Sequence, residues 1–289
     1  MNKKELLEKY ATNLSRSPNK NYYLRYAGDY LEQADSLTRE SIESYLKSLR
    51  DKKRKPGSVN FAFRVVRRLY AVNGIPWEYR QGEAPAIGQR DEYRPQLSHG
   101  VINAMIDAAK TSKLYPEESC FLALSTTYGL RREEMANLTA EDVKLSSDAI
   151  YIATIKFGRE RYHMIPPEIK PYLEAHDFRT RYATSTLSQI YRRILIKCGC
   201  RELTKQRLGW HTIRRSVFDG LINGGVPQLA ATAFLRWKTA PGEMAMQVRY
   251  FGNIVIGLKG REPVLEEAKG DEEIFKLHPF LVFWREDGN

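Results

Sequence analysis

His211 and Arg214 stand three residues apart at the start of an apolar-periodic stretch, 211–223, that predicts a helix. Residues at this spacing share one helix face, with about 5–6 Å between their Cβ atoms. An arginine offers a planar fork of donors that fits two phosphate oxygens, and a histidine can donate a hydrogen bond or carry a proton. The pair therefore suits a phosphodiester whose negative charge grows during reaction. The pattern also fits a solvent-exposed helix start with a capped histidine.

A second candidate group follows the almost wholly apolar segment 118–128. Gly129 lets the chain reverse between two helices, which places Arg131 near the interior. Glu134 lies three residues further on, where its carboxylate can hold the guanidinium of Arg131. An exposed pair of this kind contributes well under about 1 kcal/mol. Because an apolar segment precedes the pair, the alternative is that Arg131 and Glu134 are buried and functional.

The composition describes a globular chain that is long enough for two domains. Its 289 residues are 42% hydrophobic and 11% aromatic, and the formal net charge is +11. Residues 1–90 hold 18 Lys or Arg against 10 Asp or Glu, whereas residues 91–289 hold 28 against 25. A basic N-terminal third indicates a polyanionic partner, most simply nucleic acid, although a generic basic surface gives the same count.

The basic charge falls on a predicted bundle of four helices, residues 1–75. A run of four cations precedes the break at Pro56-Gly57, and three arginines project from the fourth helix. Such a face contacts phosphates and positions a duplex without reading its sequence. The candidate DNA-binding residues are Lys52, Lys53, Arg54, Lys55, Arg64, Arg67 and Arg68.

The remaining pattern predicts a mainly α protein with a small antiparallel β-hairpin or sheet. Residues 76–94 contain no periodic core and are interpreted as a linker, and 95–255 as a second domain. Within it, 149–156 and 161–165 have strand composition around a turn and predict a hairpin. The tail, 256–289, ends in an apolar run, 277–284, which we expect to pack on its own protomer or on a neighbour.

The number and spacing of cysteines, carboxylates and apolar residues exclude several classes of protein and site. Three cysteines are too few for a disulfide scaffold, and Cys198 and Cys200 have no second ligand pair for zinc. No carboxylate cluster has metal-ligand spacing, and no apolar run reaches the length of a membrane span. We therefore expect a cytoplasmic protein without a metal or other cofactor. In a prokaryote it would be nucleoid-associated.

Three motifs in order, G-L-R-x-x-E, a lysine at a hairpin tip and H-x-x-R, resemble those of the tyrosine recombinase/integrase family of phage-integrase and Xer-like enzymes. The similarity runs from about residue 5 to residue 252. It implies a SAM-like core-binding domain followed by a catalytic domain. The family's catalytic arginines, lysine and histidine, and the acidic residue that supports the first arginine, fall on Arg131, Lys156, His211, Arg214 and Glu134.

Two further family positions depart from the usual pattern. Trp237 stands where most members have histidine, in Leu235-Arg236-Trp237, and tryptophan occurs there in some members. The nucleophile falls on Tyr250, 13 residues further on, which is a few more than the usual gap. The tyrosines at 22, 23, 26 and 30 are better explained by packing. Tyr162 and Tyr191 lie upstream of the nucleophile's place in the family.

The resemblance implies a site-specific recombinase that cuts and rejoins double-stranded DNA through a 3′-phosphotyrosyl intermediate, without metal or ATP. It also implies a tetramer on two duplexes, and a monomer or weak oligomer off DNA. Two alternatives remain open. One is a relaxing enzyme like the type IB topoisomerases, which share the chemistry. The other is a catalytically silent DNA-binding protein derived from an integrase.

Overall fold

The computed structural model describes residues 2–17, 19–80, 83, 95–153, 160–206, 208–237 and 270–285. The chain divides into two compact units, residues 1–93 and 94–289. Both are built mainly from helices, and the described strands form one three-stranded antiparallel sheet. The predicted fold class, mainly α with a small antiparallel sheet, is confirmed. Within the described residues, no helix combines the length and apolar character that a membrane crossing requires.

Helices α1 to α4 of the first unit enclose an aromatic-rich core. In that core the hydroxyls of Tyr30 and Tyr70 lie 2.5 Å apart, and both side chains are buried. Gly74 ends the last helix in the left-handed region, at φ 68°, as the Asn73-Gly74 signal predicts. The four helices are α1 (Lys3–Asn13), α2 (Lys20–Gln33), α3 (Arg39–Asp51) and α4 (Pro56–Asn73).

Two details of this unit differ from the sequence pattern. Helix α4 begins at Pro56 after Lys55, so Pro56-Gly57, predicted as a break in the chain, forms the first turn of the helix. Proline favours the first helical turn because its missing N–H would have no helical partner there. Beyond residue 75, the rings of Trp77 and Tyr79 lie 5.4 and 5.3 Å from that of Phe63. The core therefore extends into the first part of the segment interpreted as a linker.

Between residues 95 and 237, the described part of the second unit packs seven α-helices and the sheet around one core. Strand β2 pairs with β1 and β3, and Ile150 lies opposite His163 in the register. Helix α6 is buried on every side, which agrees with its lack of amphipathic pattern. The elements are α5 (His99–Lys110), α6 (Pro116–Tyr128), α7 (Arg132–Asn137), β1 (Val143–Lys144), β2 (Ala149–Ile152), β3 (Arg161–Met164), α8 (Lys170–Glu174), α9 (Thr184–Lys197), α10 (Trp210–Asn223) and α11 (Gln228–Phe234).

The C-terminal segment, residues 270–285, packs against this same unit. It contains the short helices α12 (Asp271–Lys276) and α13 (Leu281–Trp284). The indole Nε1 of Trp284 donates to Thr126 Oγ1 at 3.0 Å, so the end of the segment is fixed to α6. A Cβ added at Gly220 of α10 would lie 2.5 Å from Pro279 Cγ, which shows how closely segment and helix approach. In this structure the apolar run of the tail packs against α6 and α10 of the same chain.

Candidate active site

A cleft of about 640 Å³ opens in the second unit between the start of α7, helix α9 and the first turns of α10. Among the lining residues that the structure describes, five are arginines and only Glu133 is acidic, so the cleft suits an anion. It brings together four of the predicted site residues: Arg131, His211, Arg214 and Trp237. The other lining residues are Arg132, Glu133, Ser188, Tyr191, Arg192, Leu208, Gly209, Trp210 and Arg215.

Arg131 is placed by the tight turn between α6 and α7. Gly129 ends α6 in the left-handed region, at φ 57°, and Arg131 is the N-cap of α7. Glu134 accepts the backbone N–H of Arg131 at 2.9 Å and its Nη1 at 2.5 Å. The carboxylate holds both ends of the residue, which fixes the direction of the guanidinium. The contact expected from the three-residue spacing is therefore present, and Glu134 is buried.

Arg214 runs through the interior and is only 3% exposed. Its Nη1 donates to the carbonyl of Gly129 at 2.6 Å, and its Nη2 donates to the carbonyl of Leu235. Its Nε is buried and finds no hydrogen-bond partner among the described residues. A buried donor without a partner costs stability. Arg131 and Arg214, the clamp arginines, are thus both held rigidly at the cleft.

The carboxylate of Glu134 joins the clamp arginines. Its Oε2 lies 3.7 Å from Arg214 Nη1 and 3.1 Å from Nη2 of a third arginine, Arg236. Burial alone would raise the pKa of Glu134. Arg236, Arg214 and the backbone N–H of Arg131 outweigh it and lower the pKa below the usual value. Glu134 is therefore ionised at neutral pH, and three arginines against one carboxylate leave an excess of positive charge beside the cleft.

His211 lies at the rim of the cleft, and its helix is firmly anchored. Trp210 Nε1 donates to the carbonyl of Leu187 at 2.7 Å and joins the start of α10 to α9. Partial burial, Arg215 and Arg132 lower the pKa of His211, so its ring is neutral at pH 7. His211 is much more exposed than Arg214, although both line the cleft. A neutral imidazole beside an anion site can accept or donate a proton.

Trp237, which follows the end of α11, packs its ring against Arg214. Its ring lies 5.5 Å from Arg214 Cζ, within cation–π range, and 4.5 Å from the ring of Phe218. Lys156 and Tyr250 lie outside the described residues, so their places as proton donor and nucleophile stay predictions. Within the described ranges, no three His, Cys, Asp or Glu side chains are placed to share a metal ion.

Arg236 was not identified by sequence reasoning. It is fully buried at φ 57°, a left-handed conformation that is uncommon for residues other than glycine. Its Nη2 donates to Glu134 Oε2 at 3.1 Å and to the carbonyl of Tyr128 at 3.2 Å. Arg236 therefore holds Glu134 without lining the cleft itself. The local sequence shows only an arginine before Trp237, and gives no sign of its burial.

The sequence of this chain matches a family model and a curated relative. The model of the phage integrase family matches residues 95–246, more than half of the chain, including the turn that carries Arg131 and the helix that carries Arg214. The chain belongs to the phage integrase family. The tyrosine recombinase XerA of Pyrococcus furiosus is 26% identical over 177 residues, which are 58% of this chain and 60% of XerA.

Other proteins resemble this phage integrase family member at lower sequence identity but over more of the chain. A tyrosine recombinase of Pseudothermotoga lettingae is 24% identical over 208 residues, covering 66% of this chain and 70% of that protein. The Tn1549 transposon integrase, solved with transposon right end DNA, matches with a TM-score of 0.62 at 12% identity, over 81% of this chain and 91% of that one. Lambda integrase bound to DNA matches with a TM-score of 0.61 at 15% identity, over 82% of this chain and 92% of that one. The structural matches establish the recombinase fold.

Gly129 offers a test of how closely the clamp is packed. An added Cβ would lie 2.7 Å from Leu235 Cδ2 and 3.2 Å from Arg214 Cγ, in addition to the left-handed φ. We expect Gly129→Ala to destabilise the protein by roughly 1–3 kcal/mol and to displace Arg214. Thermal unfolding and the rate of DNA cleavage measure the two effects.

Gly199→Ala is the matched control for this prediction. Gly199 also has a positive φ, 83°, but no atom lies within 4 Å of an added Cβ. The Gly199→Ala variant should lose stability only because alanine is strained at a positive φ. It should keep the wild-type cleavage rate at temperatures where it is folded. If both variants lose similar stability and both cleave at the wild-type rate, the clamp tolerates displacement and its packing is not catalytic.

Proposed function

We propose that this protein is a site-specific DNA recombinase that cuts and rejoins duplex DNA through a 3′-phosphotyrosyl intermediate. One observation carries the proposal: two arginines from distant parts of the sequence are fixed side by side at a single basic cleft. Arg131 and Arg214 are oriented by Glu134 and by two backbone carbonyls before any substrate binds. Preorganised donors of this kind are the main way in which enzymes stabilise developing charge.

In the proposed reaction, the phenolic oxygen of Tyr250 attacks the scissile phosphorus and the bond from phosphorus to the 5′-oxygen breaks. The clamp arginines neutralise the pentavalent phosphorane with bidentate hydrogen bonds. Lys156 donates a proton to the departing 5′-oxygen. The neutral ring of His211 accepts the proton that the phenol of Tyr250 loses. The phosphotyrosyl bond keeps the energy of the broken diester, so rejoining needs no ATP.

Rejoining is the reverse substitution with another strand. A 5′-hydroxyl from a second cleaved duplex attacks the phosphotyrosyl phosphorus, and the tyrosyl oxygen leaves. Strand exchange therefore needs two duplexes held together, and we propose a tetramer of this chain on two duplexes as the active assembly. Lambda integrase, which shares the fold, has been solved as a dimer bound to a COC′ core site.

The basic surface of the first unit is the proposed contact with the DNA backbone. Lys52, Lys53, Arg54 and Lys55 are exposed in the turn between α3 and α4, and Arg64, Arg67 and Arg68 are exposed on α4. The turn has a defined shape because the backbone N–H of Lys53 donates to the carbonyl of Arg50 at 2.7 Å. Such a surface would position a duplex by its phosphates and leave sequence selection to other contacts.

The salt dependence of DNA binding tests this surface. We expect Lys52→Gln/Lys53→Gln to weaken binding to duplexes of any sequence and to flatten the plot of log K against log salt. The slope should fall by about 0.9 for every phosphate that the variant no longer neutralises. The charge-matched control is Lys205→Gln/Lys276→Gln, which alters two exposed lysines paired with Glu202 and Glu273. Equal slopes in both double variants and the wild type would place the DNA contact elsewhere.

Product analysis tests the recombinase proposal against its alternatives. Duplexes that bind tightly are first selected from a random-sequence pool, and two differently labelled copies are then incubated with the protein. A recombinase produces joined molecules that carry one label from each parent. A relaxing enzyme removes supercoils from a plasmid without exchanging labels, and a silent DNA-binding protein does neither. Absence of exchanged product under conditions of saturating binding would contradict the proposal.

A further inference from the structure

A line of buried polar side chains runs from Glu134 to the C-terminal segment. Arg236 Nη2 donates to Glu134, and Arg236 Nη1 lies 2.9 Å from His163 Nε2. On the other side of the ring, His163 Nδ1 lies 2.9 Å from Asp271 Oδ2. Both His163 and Asp271 are fully buried. We call Asp271, His163, Arg236 and Glu134 the support chain.

The neighbours of His163 allow one tautomer of its ring. A guanidinium only donates hydrogen bonds, so Nε2 must accept from Arg236. An ionised carboxylate only accepts, so Nδ1 must carry the hydrogen and donate it to Asp271. Burial lowers the pKa of His163 to about 3 even though Asp271 acts in the opposite direction. The ring is therefore neutral and has a fixed direction from Asp271 to Arg236.

Asp271 is itself held by several groups. Its Oδ1 accepts from Arg161 Nη2 at 2.6 Å, and its Oδ2 accepts from the backbone N–H of Met164 at 3.2 Å. Burial would raise the pKa of this carboxyl, but Arg161 and His163 hold it below the usual value. A buried carboxylate is costly unless it is paired in this way. Removing it would take away the buried acceptor of the imidazole Nδ1–H.

The position of Asp271 is fixed by contacts outside the support chain. Phe280, Leu281 and Trp284 are buried in the core of the second unit, and His278 Nε2 lies 2.9 Å from the carbonyl of Thr127. These anchors hold the segment on the unit that carries the cleft. The carboxylate therefore reaches β3 as part of a docked segment and not as an exposed side chain on a surface loop.

We propose that Asp271 is a positioning residue for the cleft, and this inference rests on the proposed function. Asp271 orients His163, His163 orients Arg236, and Arg236 holds Glu134, the carboxylate that the clamp arginines share. Without Asp271 the ring can adopt the other tautomer, which turns an N–H toward the guanidinium of Arg236. The resulting displacement of the clamp is felt in the transition state, where a misplacement of about 1 Å costs up to roughly 10²-fold in rate.

The test compares four variants of the full chain. Asp271→Ala removes the acceptor, and Asp271→Asn keeps one oxygen that can accept from Nδ1. Glu272→Gln neutralises the adjacent exposed acid, and Trp284→Phe weakens the anchoring of the same segment without touching the support chain. The single-turnover rate of protein–DNA adduct formation, the affinity for the same duplex and the melting temperature are measured for each.

We expect Asp271→Ala to slow adduct formation roughly 10- to 100-fold, the scale observed for outer-shell partners at other active sites. Asp271→Asn should retain an intermediate rate. DNA affinity should stay within about twofold, because phosphate contacts elsewhere dominate binding. Glu272→Gln should match the wild type, and Trp284→Phe should lower the melting temperature but keep the rate where it is folded.

Two outcomes would overturn the proposal. One is a folded Asp271→Ala that forms the adduct at the wild-type rate. The other is an equal loss of rate in Trp284→Phe and Asp271→Ala at equal loss of melting temperature, which would reduce Asp271 to a docking contact.

A wild-type protein that forms no adduct would instead contradict the proposed function. In that case nitrogen-15 NMR still decides the positioning claim. The His163 signals should show the Nδ1–H tautomer, and Asp271→Ala should shift the Nε–H signal of Arg214 whereas Trp284→Phe should not. An unchanged Arg214 signal in Asp271→Ala would overturn the inference independently of activity.

Discussion

Tyr250→Phe is expected to abolish the covalent protein–DNA adduct while leaving the affinity for duplex DNA almost unchanged. The substitution removes only the phenolic oxygen, which is the atom proposed to attack the phosphorus. Binding should persist because phosphate contacts by basic side chains supply most of the affinity. The measurement is adduct formation on a nicked duplex, compared with a binding titration on the same duplex.

Tyr162→Phe and Tyr191→Phe are the matched controls. Burial raises the pKa of Tyr191 to about 12, and its hydroxyl is 3.2 Å from Thr212 Oγ1, so it is a poor nucleophile although it lines the cleft. The ring of Tyr162 packs against that of Tyr151 with centroids 4.9 Å apart. An adduct that survives Tyr250→Phe and disappears in either control would move the nucleophile to that residue.

Arg131→Lys and Arg214→Lys should each slow cleavage by about 10²–10³-fold, or roughly 2.7–4 kcal/mol. Lysine keeps the charge but cannot reproduce the two-pronged grip on a phosphate. The double variant should be less impaired than the product of the two single effects, because both arginines act on one group. Single-turnover cleavage and DNA affinity are measured in parallel, and affinity should fall far less than rate.

Stability must be separated from catalysis in this series. Arg214→Lys leaves the buried carbonyls of Gly129 and Leu235 without their guanidinium donors, which costs about 1–3 kcal/mol for each unsatisfied group. Rates are therefore compared at temperatures where every variant is folded. Arg201→Lys, at an exposed arginine of the same unit outside the cleft, is the control for the substitution itself. Equal losses of affinity and rate would make Arg131 and Arg214 ordinary phosphate anchors.

The local sequence pattern predicted a structural feature correctly wherever the residues that determine the feature are close in sequence. The apolar periodicity of 211–223 predicted α10, which spans Trp210–Asn223. The strand composition of 149–156 and 161–165 around a turn predicted the pairing of β2 with β3. The three-residue spacing from Arg131 to Glu134 predicted their contact. In each case the geometry of one or two helical turns, or of one pair of strands, determines which residues come together.

The support chain could not be predicted because its members are distant in sequence. His163 and Asp271 are 108 residues apart, and Arg236 is 73 residues from His163. No periodicity links such positions, and each residue alone resembles an ordinary surface charge or an aromatic strand residue. The burial of Asp271 depends on the tertiary placement of Arg161, which lies 110 residues away and which no local pattern indicates. Strand β1, with two residues, was too short for a pattern.

The central claim is that the clamp arginines serve a tyrosine that cuts DNA, and one measurement tests it most directly. Wild-type protein is incubated with duplexes selected for binding, each carrying a nick that is moved one nucleotide at a time along the strand. A nick close to the cleavage point lets the short fragment leave and traps the intermediate. We expect a phenol-resistant adduct linked to the 3′-phosphate side, with the DNA attached to the peptide that contains Tyr250. Tight binding without any adduct at every nick position, or attachment through a 5′-phosphate, would contradict the account.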